Sequence, residues 1–298
     1  MFLGIDTSCY TTSVAIVSAE GEVLADERRL LSVDEGKRGL RQSEGVFQHI
    51  KNLPDLTDRI KDFMPDIKAV AVSAKPRAAE DSYMPVFLAG QSFARVIADS
   101  LDVPLFCTDH QSGHITAARE ASGFSPDGVF IAIHLSGGTT ELLLTNGTDT
   151  KIVGKTLDIP AGQLIDRTGV MCGIKFPCGK EMDAKSVETD IKLPVSVKES
   201  DINFSGAEIQ AQRLYKSGTY CGEIFRAVFD AVAISLIKAA KSVGGYHILP
   251  VGGVSSNSVI RQKLTCEFGD KVHFAPPKYM TDNAVGTAYI CREKFLRG

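Results

Sequence analysis

The 298-residue sequence predicts an α/β fold of two duplicated lobes, each a mixed sheet flanked by helices. Three observations predict it. Gly4-Ile5-Asp6-Thr7-Ser8-Cys9-Tyr10-Thr11-Thr12, running into Ser13-Val14-Ala15-Ile16, overlays without a gap on Ala132-Ile133-His134-Leu135-Ser136-Gly137-Gly138-Thr139-Thr140, running into Glu141-Leu142-Leu143-Leu144. Ser8 falls on Ser136, Thr11 on Thr139 and Thr12 on Thr140. Each copy reads as strand, tight polar turn, strand, with small residues and hydroxyls between apolar runs. Behind each hairpin, strands alternate with helices, which implies a largely parallel sheet in each lobe.

In order along the chain, residues 3–6, 12–17 and 22–25 read as strands joined by the Asp6–Thr12 turn and by Ala19-Glu20-Gly21. Val46, Ile50, Leu53, Leu56, Ile60 and Phe63 then recur at helical spacing, with Pro54 an expected interruption. Residues 67–72 form a strand, 84–98 a helix and 105–107 a short strand ending at His110. The second half repeats the order. Strands are expected at 129–135, 140–145 and 151–153, with an Asn146-Gly147 hairpin signal. A short helix at 161–171 leads into a loop-rich insertion at 175–205. A long amphipathic helix at 224–243 and a buried strand at 247–251 follow, then a helix at 256–268, a strand at 272–275 and a closing helix at 283–295.

Two such hairpins, one per lobe and facing each other, form a cleft whose turns offer N–H groups and hydroxyls to phosphate. That is the layout of the actin-like, sugar-kinase- and Hsp70-like ATPase fold. The lobes are expected at 1–109 and 110–298, with the last helix, about 283–298, a candidate to pack back on the N-terminal lobe.

Bulk composition excludes several classes. Hydrophobic content of 44% and charged content of 23% are those of an ordinary globular protein. A net charge of −3 gives no global basic field, so RNA binding would need a local patch or a helper subunit. Seven cysteines at irregular spacing suit a reducing compartment better than a disulfide framework. Met1 runs directly into the first strand, so no signal peptide is expected, and the apolar stretches fall short of a membrane span. A cytoplasmic protein is expected.

His110 and His114 lie four apart where a strand hands over to a helix, which sets both imidazoles on one helical face, as a shared divalent ion requires. Such a pair is also what two unrelated polar residues near a helix start would look like. The carboxylate of Asp282, in Thr281-Asp282-Asn283 between the last strand and the last helix, is the candidate third ligand, although an Asp there also suits helix capping. The glycine turns Ser136-Gly137-Gly138-Thr139-Thr140 and Gly252-Gly253-Val254-Ser255-Ser256-Asn257 each follow an apolar strand. Glycine lets the backbone approach a phosphate or nucleoside, and Asn257 at a helix start is placed to bond a ribose or base. Asp158, Asp166 and Asp183 gather around the insertion as sugar-hydroxyl or helix-capping candidates. Cys172 and Cys178 read as free thiols, and Lys37-Arg38 with Arg41 as a solvated loop or an RNA-facing patch.

Taken in order, Leu3-Gly4-Ile5-Asp6-Thr7-Ser8-Cys9, His110-Gln111-Ser112-Gly113-His114, Leu135-Ser136-Gly137-Gly138, Phe204-Ser205-Gly206, Gly252-Gly253-Val254-Ser255-Ser256-Asn257 and Thr281-Asp282-Asn283 resemble the TsaD family. These are the threonylcarbamoyl transferases once called O-sialoglycoprotein endopeptidases, and the likeness spans nearly the whole chain. The resemblance implies the actin-like fold and an acyltransferase that moves threonylcarbamoyl from threonylcarbamoyl-AMP to the exocyclic amine of an adenosine beside the tRNA anticodon. It implies iron or zinc on His110, His114 and Asp282, the donor's phosphate and acyl part on His134, Leu135, Ser136, Gly137 and Gly138, and its adenosine end on Asp166, Gly179, Asp183 and Asn257. It also implies tRNA and helper subunits as partners, with hetero- or homodimer contact through the N-terminal lobe. The chain departs from the family pattern at Tyr10 and Thr11, at Ser112, at Thr139, at Lys75-Pro76-Arg77 and at Gln163-Leu164-Ile165-Asp166-Arg167, as a shorter, divergent paralogue would. Another acceptor (carbamoyl transfer), ATP-dependent phosphotransfer, and a non-catalytic partner role stay open beside this reading.

Overall fold

A computed structural model of the chain describes all residues except 9, 34–39, 79–81, 127, 147 and 148. Cys9, the Lys37-Arg38 run and Gly147 of the hairpin signal lie outside the described residues. The chain divides into two compact units, Met1–Gly123 with Thr281–Gly298, and Phe124–Met280.

In the first unit, β1 (Phe2–Asp6) and β2 (Thr11–Val17) form the opening hairpin and β3 (Val23–Leu30) adds an edge. Helix α1 (Gln42–Asp58) follows, then β4 (Ala69–Lys75), α2 (Phe87–Leu101), β5 (Leu105–Asp109) and α3 (His110–Ser122). The sheet order is β3-β2-β1-β4-β5. The first three strands are antiparallel, and β4 and β5 add on in parallel, so the sheet is mixed as expected, with a smaller parallel share than the strand–helix alternation implied. Strand β3 runs five residues beyond its expected end, where the half-buried charges find partners: Arg28 on Asp26, Arg29 on Asp55 and Glu27 on Arg59. Helix α1 passes through Pro54. The proline removes the partner of the Ile50 carbonyl, and Ile50 lies on the exposed side, where water can replace it.

In the second unit, β6 (Phe130–Leu135) and β7 (Thr140–Asn146) form the duplicated hairpin, and β8 (Asp149–Lys155) pairs with β7. Next come α4 (Ala161–Met171), α5 (Gly179–Lys185), a small hairpin of β9 (Ser196–Lys198) and β10 (Asp201–Asn203), α6 (Ser205–Lys216), α7 (Cys221–Val243), β11 (His247–Val251) and α8 (Ser258–Phe268). The sheet order is β11-β6-β7-β8, with only β11–β6 parallel. The strand expected at 272–275 is absent. One bridge, Ile248 to Val272, and the bond from His273 N–H to the Ile248 carbonyl are all that forms before Pro276-Pro277 end the pairing. The expected loop at 175–205 holds α5 and the β9–β10 hairpin.

The chain then returns to the first unit with α9 (Val285–Arg297). The expected boundary at Asp109 accordingly moves to Gly123/Phe124, because α3 packs on α9 and stays with the first unit. Leu3, Ile5, Val14, Ile16, Val70 and Val72 face α1 and α2, while Phe2 and Ala71 face α9 through Cys291. Each fully buried Leu, Ile or Phe contributes about 1.5–3 kcal/mol. Two glycines set the close approach of α9. A methyl on Gly4 would overlap the backbone of Ala284 and Ala288, and one on Gly286 would overlap the Gly113 carbonyl of α3.

The duplication extends to the pairing register. Phe2 opposes Val17 and Asp6 opposes Ser13, and at the overlaid positions Phe130 opposes Thr145 and His134 opposes Glu141.

Candidate functional site

In the first unit, β5 ends at Asp109, whose carboxylate accepts from the Ser112 N–H (2.9 Å) and hydroxyl (2.6 Å) and so starts α3. His110 and His114 are the first and fifth residues of that helix and share a face. Close contact of Gly286 with Gly113 holds α9 against this turn, and the step before α9 carries Asp282. Asn283 Oδ1, not the Asp282 carboxylate, accepts from the N–H of Val285, the first residue of α9, at 3.0 Å, and the Asp282 carboxylate turns to the histidines.

Three atoms converge. His110 Nε2 and His114 Nε2 lie 3.0 Å apart, and Asp282 Oδ1 lies 3.4 and 3.3 Å from them. Ligands about 2.0–2.2 Å from a common ion, at octahedral or tetrahedral angles, are spaced about 3.0–3.5 Å apart, so these edges fit one divalent ion. The ring geometry supports the same centre. His247 and His273 have nitrogens 2.9 Å apart and ring centroids 5.1 Å apart, as two rings meeting head-on would. His110 and His114, at almost the same nitrogen separation, have centroids only 4.4 Å apart, so their nitrogens angle toward a shared point.

Sequence reasoning did not assign Asp6 to the site. Its carboxylate is fully buried, and Oδ2 accepts from His110 Nδ1–H at 2.9 Å. Oδ1 accepts from the Ser8 N–H at 2.8 Å. Fixing the proton on Nδ1 leaves the Nε2 lone pair for an ion. The signal was present in the sequence as a carboxylate ending the wholly buried strand Phe2–Asp6, because a buried charge requires a partner. Burial alone would raise the Asp6 pKa, but the His110 charge and hydrogen bonds from His110, Ser73 and Ser8 lower it. Burial alone would lower that of His110, yet the Asp6 charge and the bonds to Asp282 and Asp6 raise it well above the usual imidazole range. Burial would likewise raise Asp282, but hydrogen bonds from both imidazoles hold it far below the ordinary carboxylate range. Two carboxylates thus favour the protonated form of His110, and a divalent ion would displace that proton and balance both charges. Asp282 is 25% exposed, which leaves the centre an open side.

In the second unit the remaining candidates form one connected rim. Ser136 Oγ accepts from the Thr139 N–H (3.0 Å) and the Gly138 N–H (3.3 Å), and Gly137 and Gly138 are exposed, with open space where a side chain would begin. A methyl on Gly162 would fall 2.5 Å from the Ser136 carbonyl oxygen and 2.7 Å from Gly137 Cα, so α4 begins directly against the turn. Gly252, with φ of +89°, packs on the Leu135 carbonyl and the His134 ring. Leu135 itself is in the core, leaving only its backbone to the rim. Asn257 Oδ1 caps α8 at Ile260 N (3.0 Å), while its Nδ2 is buried with no partner among the described residues, a donor in want of an acceptor. The neighbouring Ser258 donates both N–H (2.8 Å) and O–H (2.7 Å) to Asp183. Asp183 lies one turn along α5 from Gly179, and Asp166 accepts from the Cys178 N–H just before that helix (2.8 Å). Burial raises the Asp166 pKa. Asp158 is a capping residue, accepting from the N–H groups of Phe204 (2.9 Å) and Ser205 (2.8 Å) at the start of α6.

Residues 44–289 match the family model TsaD, described as tRNA N6-adenosine threonylcarbamoyltransferase. Proteins with that description from Thermus thermophilus (31% identical, covering 99% of this chain and 93% of the relative) and Neorickettsia sennetsu (30%, covering 100% and 94%) align along nearly their whole length. Among solved structures, component A of the (R)-2-hydroxyglutaryl-CoA dehydratase of Acidaminococcus fermentans superposes with a TM-score of 0.61 at 18% identity, covering 98% of each chain. That likeness shows the fold alone, the actin-like ATPase fold with mixed sheets flanked by helices. No helix among the described residues is long and apolar enough to cross a membrane. With the family model matched over most of its length, the chain belongs to the TsaD family.

Proposed function

We propose that the protein transfers the threonylcarbamoyl group of threonylcarbamoyl-AMP to the exocyclic amine of an adenosine beside the tRNA anticodon, with one iron or zinc ion held by His110, His114 and Asp282. The observation that carries the reading is the convergence of those three ligand atoms at 3.0–3.4 Å, backed by a buried carboxylate on the far nitrogen of His110. Two imidazoles and one carboxylate suit either metal. When bound, the ion would supply Lewis-acid stabilisation of negative charge.

The chain's own residues do the rest. Asp6 holds the proton on His110 Nδ1 and so keeps Nε2 basic. The Gly137–Gly138 turn lets the backbone approach the donor's phosphate without a side chain in the way. Asn257 Nδ2 donates to the adenosine end, satisfying its own unpaired N–H, and Asp166, Asp183 and Gly179 shape that end of the rim. His134 sits beneath the turn and supports it through Gly252. Holding both reactants in register supplies the remaining rate advantage.

Helper subunits and a dimer contact through the first unit belong to the same proposal. Phe47 and Ile50 on α1 and Leu88 and Val96 on α2 are exposed apolar side chains, which a protein partner would cover. A cytoplasmic location is supported by the free thiols of Cys107, Cys172, Cys178, Cys221, Cys266 and Cys291.

The test is direct: tRNA lacking the modification is incubated with the protein, its helper subunits, threonine, bicarbonate and ATP plus the donor-forming enzyme, and its nucleosides are read by mass spectrometry. Wild type is expected to convert the adenosine and His114→Ala to leave it. An unmodified adenosine in both reactions would overturn the proposal, and release of ADP in place of AMP from labelled ATP would favour phosphotransfer.

A further inference from the structure

The end of the first sheet carries a row of polar residues across three strands. Asp6 on β1 opposes Ser13 on β2, and Ser13 opposes Arg28 on β3. Opposed residues of antiparallel strands share a face, so all three lie on the side of the sheet that α9 covers. Asp6, at one end of the row, orients His110. Arg28, at the other, reaches the chain that supplies the third ligand. Its Nη1 donates to Thr281 Oγ1 at 3.3 Å and to the Asp282 carbonyl at 3.5 Å.

The guanidinium is held from behind. Asp26, two residues earlier on the same face of β3, accepts from Nε at 2.7 Å and from Nη2 at 2.6 Å, a two-pronged pair with both side chains about one-fifth exposed. This sets it apart from an ordinary edge-strand charge, which projects into water and contributes little. Among the described residues, the Asp282 carboxylate meets only the two imidazoles, and its main-chain carbonyl meets only Arg28. Asn283 fixes the start of α9 beyond it, so Arg28 and Asn283 grip the ligand-bearing step from its two sides. Asp26 also neutralises a cation that would otherwise stand near the ion and repel it.

We propose that Arg28 is a positioning residue of the metal centre: locked by Asp26, it fixes the Thr281–Asp282 backbone so that the Asp282 carboxylate stays in reach of both histidines. This rests on the reading of His110, His114 and Asp282 as an ion site. Partners that orient a ligand without touching the metal typically change affinity 10- to 100-fold when removed. Lysine cannot restore the effect in full, since a single ammonium cannot bond the Asp26 carboxylate with two prongs and the Thr281–Asp282 step at once.

The experiment strips the protein with chelator and titrates wild type, Arg28→Ala, Arg28→Lys, Asp26→Asn and His114→Ala with Zn2+, and separately with Co2+ followed by visible absorption. Arg28→Ala is expected to weaken Zn2+ binding about 10- to 100-fold and to alter the Co2+ spectrum. Arg28→Lys and Asp26→Asn should give smaller losses, and the melting temperature in chelator should stay near wild type. Asp26→Asn and Arg28→Lys carry the test should Arg28→Ala fail to fold. Zn2+ affinity and Co2+ spectra equal to wild type in the Arg28 variants would overturn this inference alone. A wild type that takes up no ion would overturn the ion site and this inference with it.

Discussion

The two copies of the opening hairpin share a pairing register and yet do opposite jobs with it. In the first, position 6 is an aspartate whose carboxylate turns inward, and the turn folds over it: Ser8 is fully buried and its N–H donates to Asp6. In the second, position 134 is a histidine, the Ser136 hydroxyl collects the turn's own N–H groups, and Gly137 and Gly138 stay exposed. One turn is used inside the protein, orienting His110 of the proposed ion site, while the other is left open. What persists in both copies is the helix anchor. Thr12 Oγ1 accepts from Asn52 Nδ2 (3.1 Å) and shares a hydrogen bond with His49 Nδ1 (2.8 Å) on α1, and Thr140 Oγ1 accepts from the Ala161 N–H (2.8 Å) at the start of α4. The two hairpins share one backbone register, and the residue at the strand end, Asp6 against His134, sets them apart.

The first test concerns the inward-facing copy. Asp6→Asn keeps the shape but removes the charge that fixes His110, so ion affinity should fall about 10- to 100-fold, measured by Zn2+ competition. Equal affinity would mean that the buried carboxylate does not support the centre.

Next comes a pH effect confined to the first copy. Burial, opposed by the charges of Asp6 and Asp282, pushes the His49 imidazole down to about 4. The folded state therefore keeps it neutral while the unfolded chain takes up a proton below about pH 6.5. Full stability is present above that value and is lost as pH falls toward 4, by about 3 kcal/mol in all. Denaturant melts between pH 7 and 4 should show this slope in wild type and a shallower one in His49→Gln. Identical slopes would remove His49 from the account.

Glycines in the second copy separate folding from binding. Gly162→Ala forces a methyl against the turn's backbone and should cost about 1–3 kcal/mol. Gly138→Ala meets no protein atom and should leave the melt unchanged, while adenylate affinity, read by calorimetry, falls about tenfold, an effect of about 1.4 kcal/mol. Unaltered affinity would move the phosphate away from this turn. A last pair compares the anchors. Thr140→Val strands one backbone N–H at about 1–3 kcal/mol, and Thr12→Val, which strands two side chains, should cost more.

Much of this was legible in the sequence for physical reasons. Hairpin periodicity, the i,i+4 spacing of His110 and His114, and glycine after an apolar strand are local signals, and Asp282 was found as the one carboxylate at the matching step. Asp6 was visible only as an oddity, a charge ending a buried strand, because its partner is 104 residues away. Arg28 could not be read at all, since its role depends on the cross-strand register and on a contact to Thr281 across 253 positions. The same limit explains the boundary at Gly123: which helix α3 packs on is set by Gly113 meeting Gly286, a contact without local signature. The missed helix α6 buries only Ala207 and Ala211, too faint a stripe to stand out. The strand expected at 272–275 had the right composition but found one bridge to pair with.

The central claim is that His110, His114 and Asp282 hold one divalent ion. Equilibrium dialysis of the chelator-stripped protein against Zn2+ or Fe2+, with metal counted per chain, tests it most directly. The account predicts one tightly held ion in wild type, none in His114→Ala or Asp282→Ala, and one still in His247→Ala, whose histidine pair meets head-on. A wild type that retains no ion, or an Asp282→Ala variant that retains it as firmly, would contradict it.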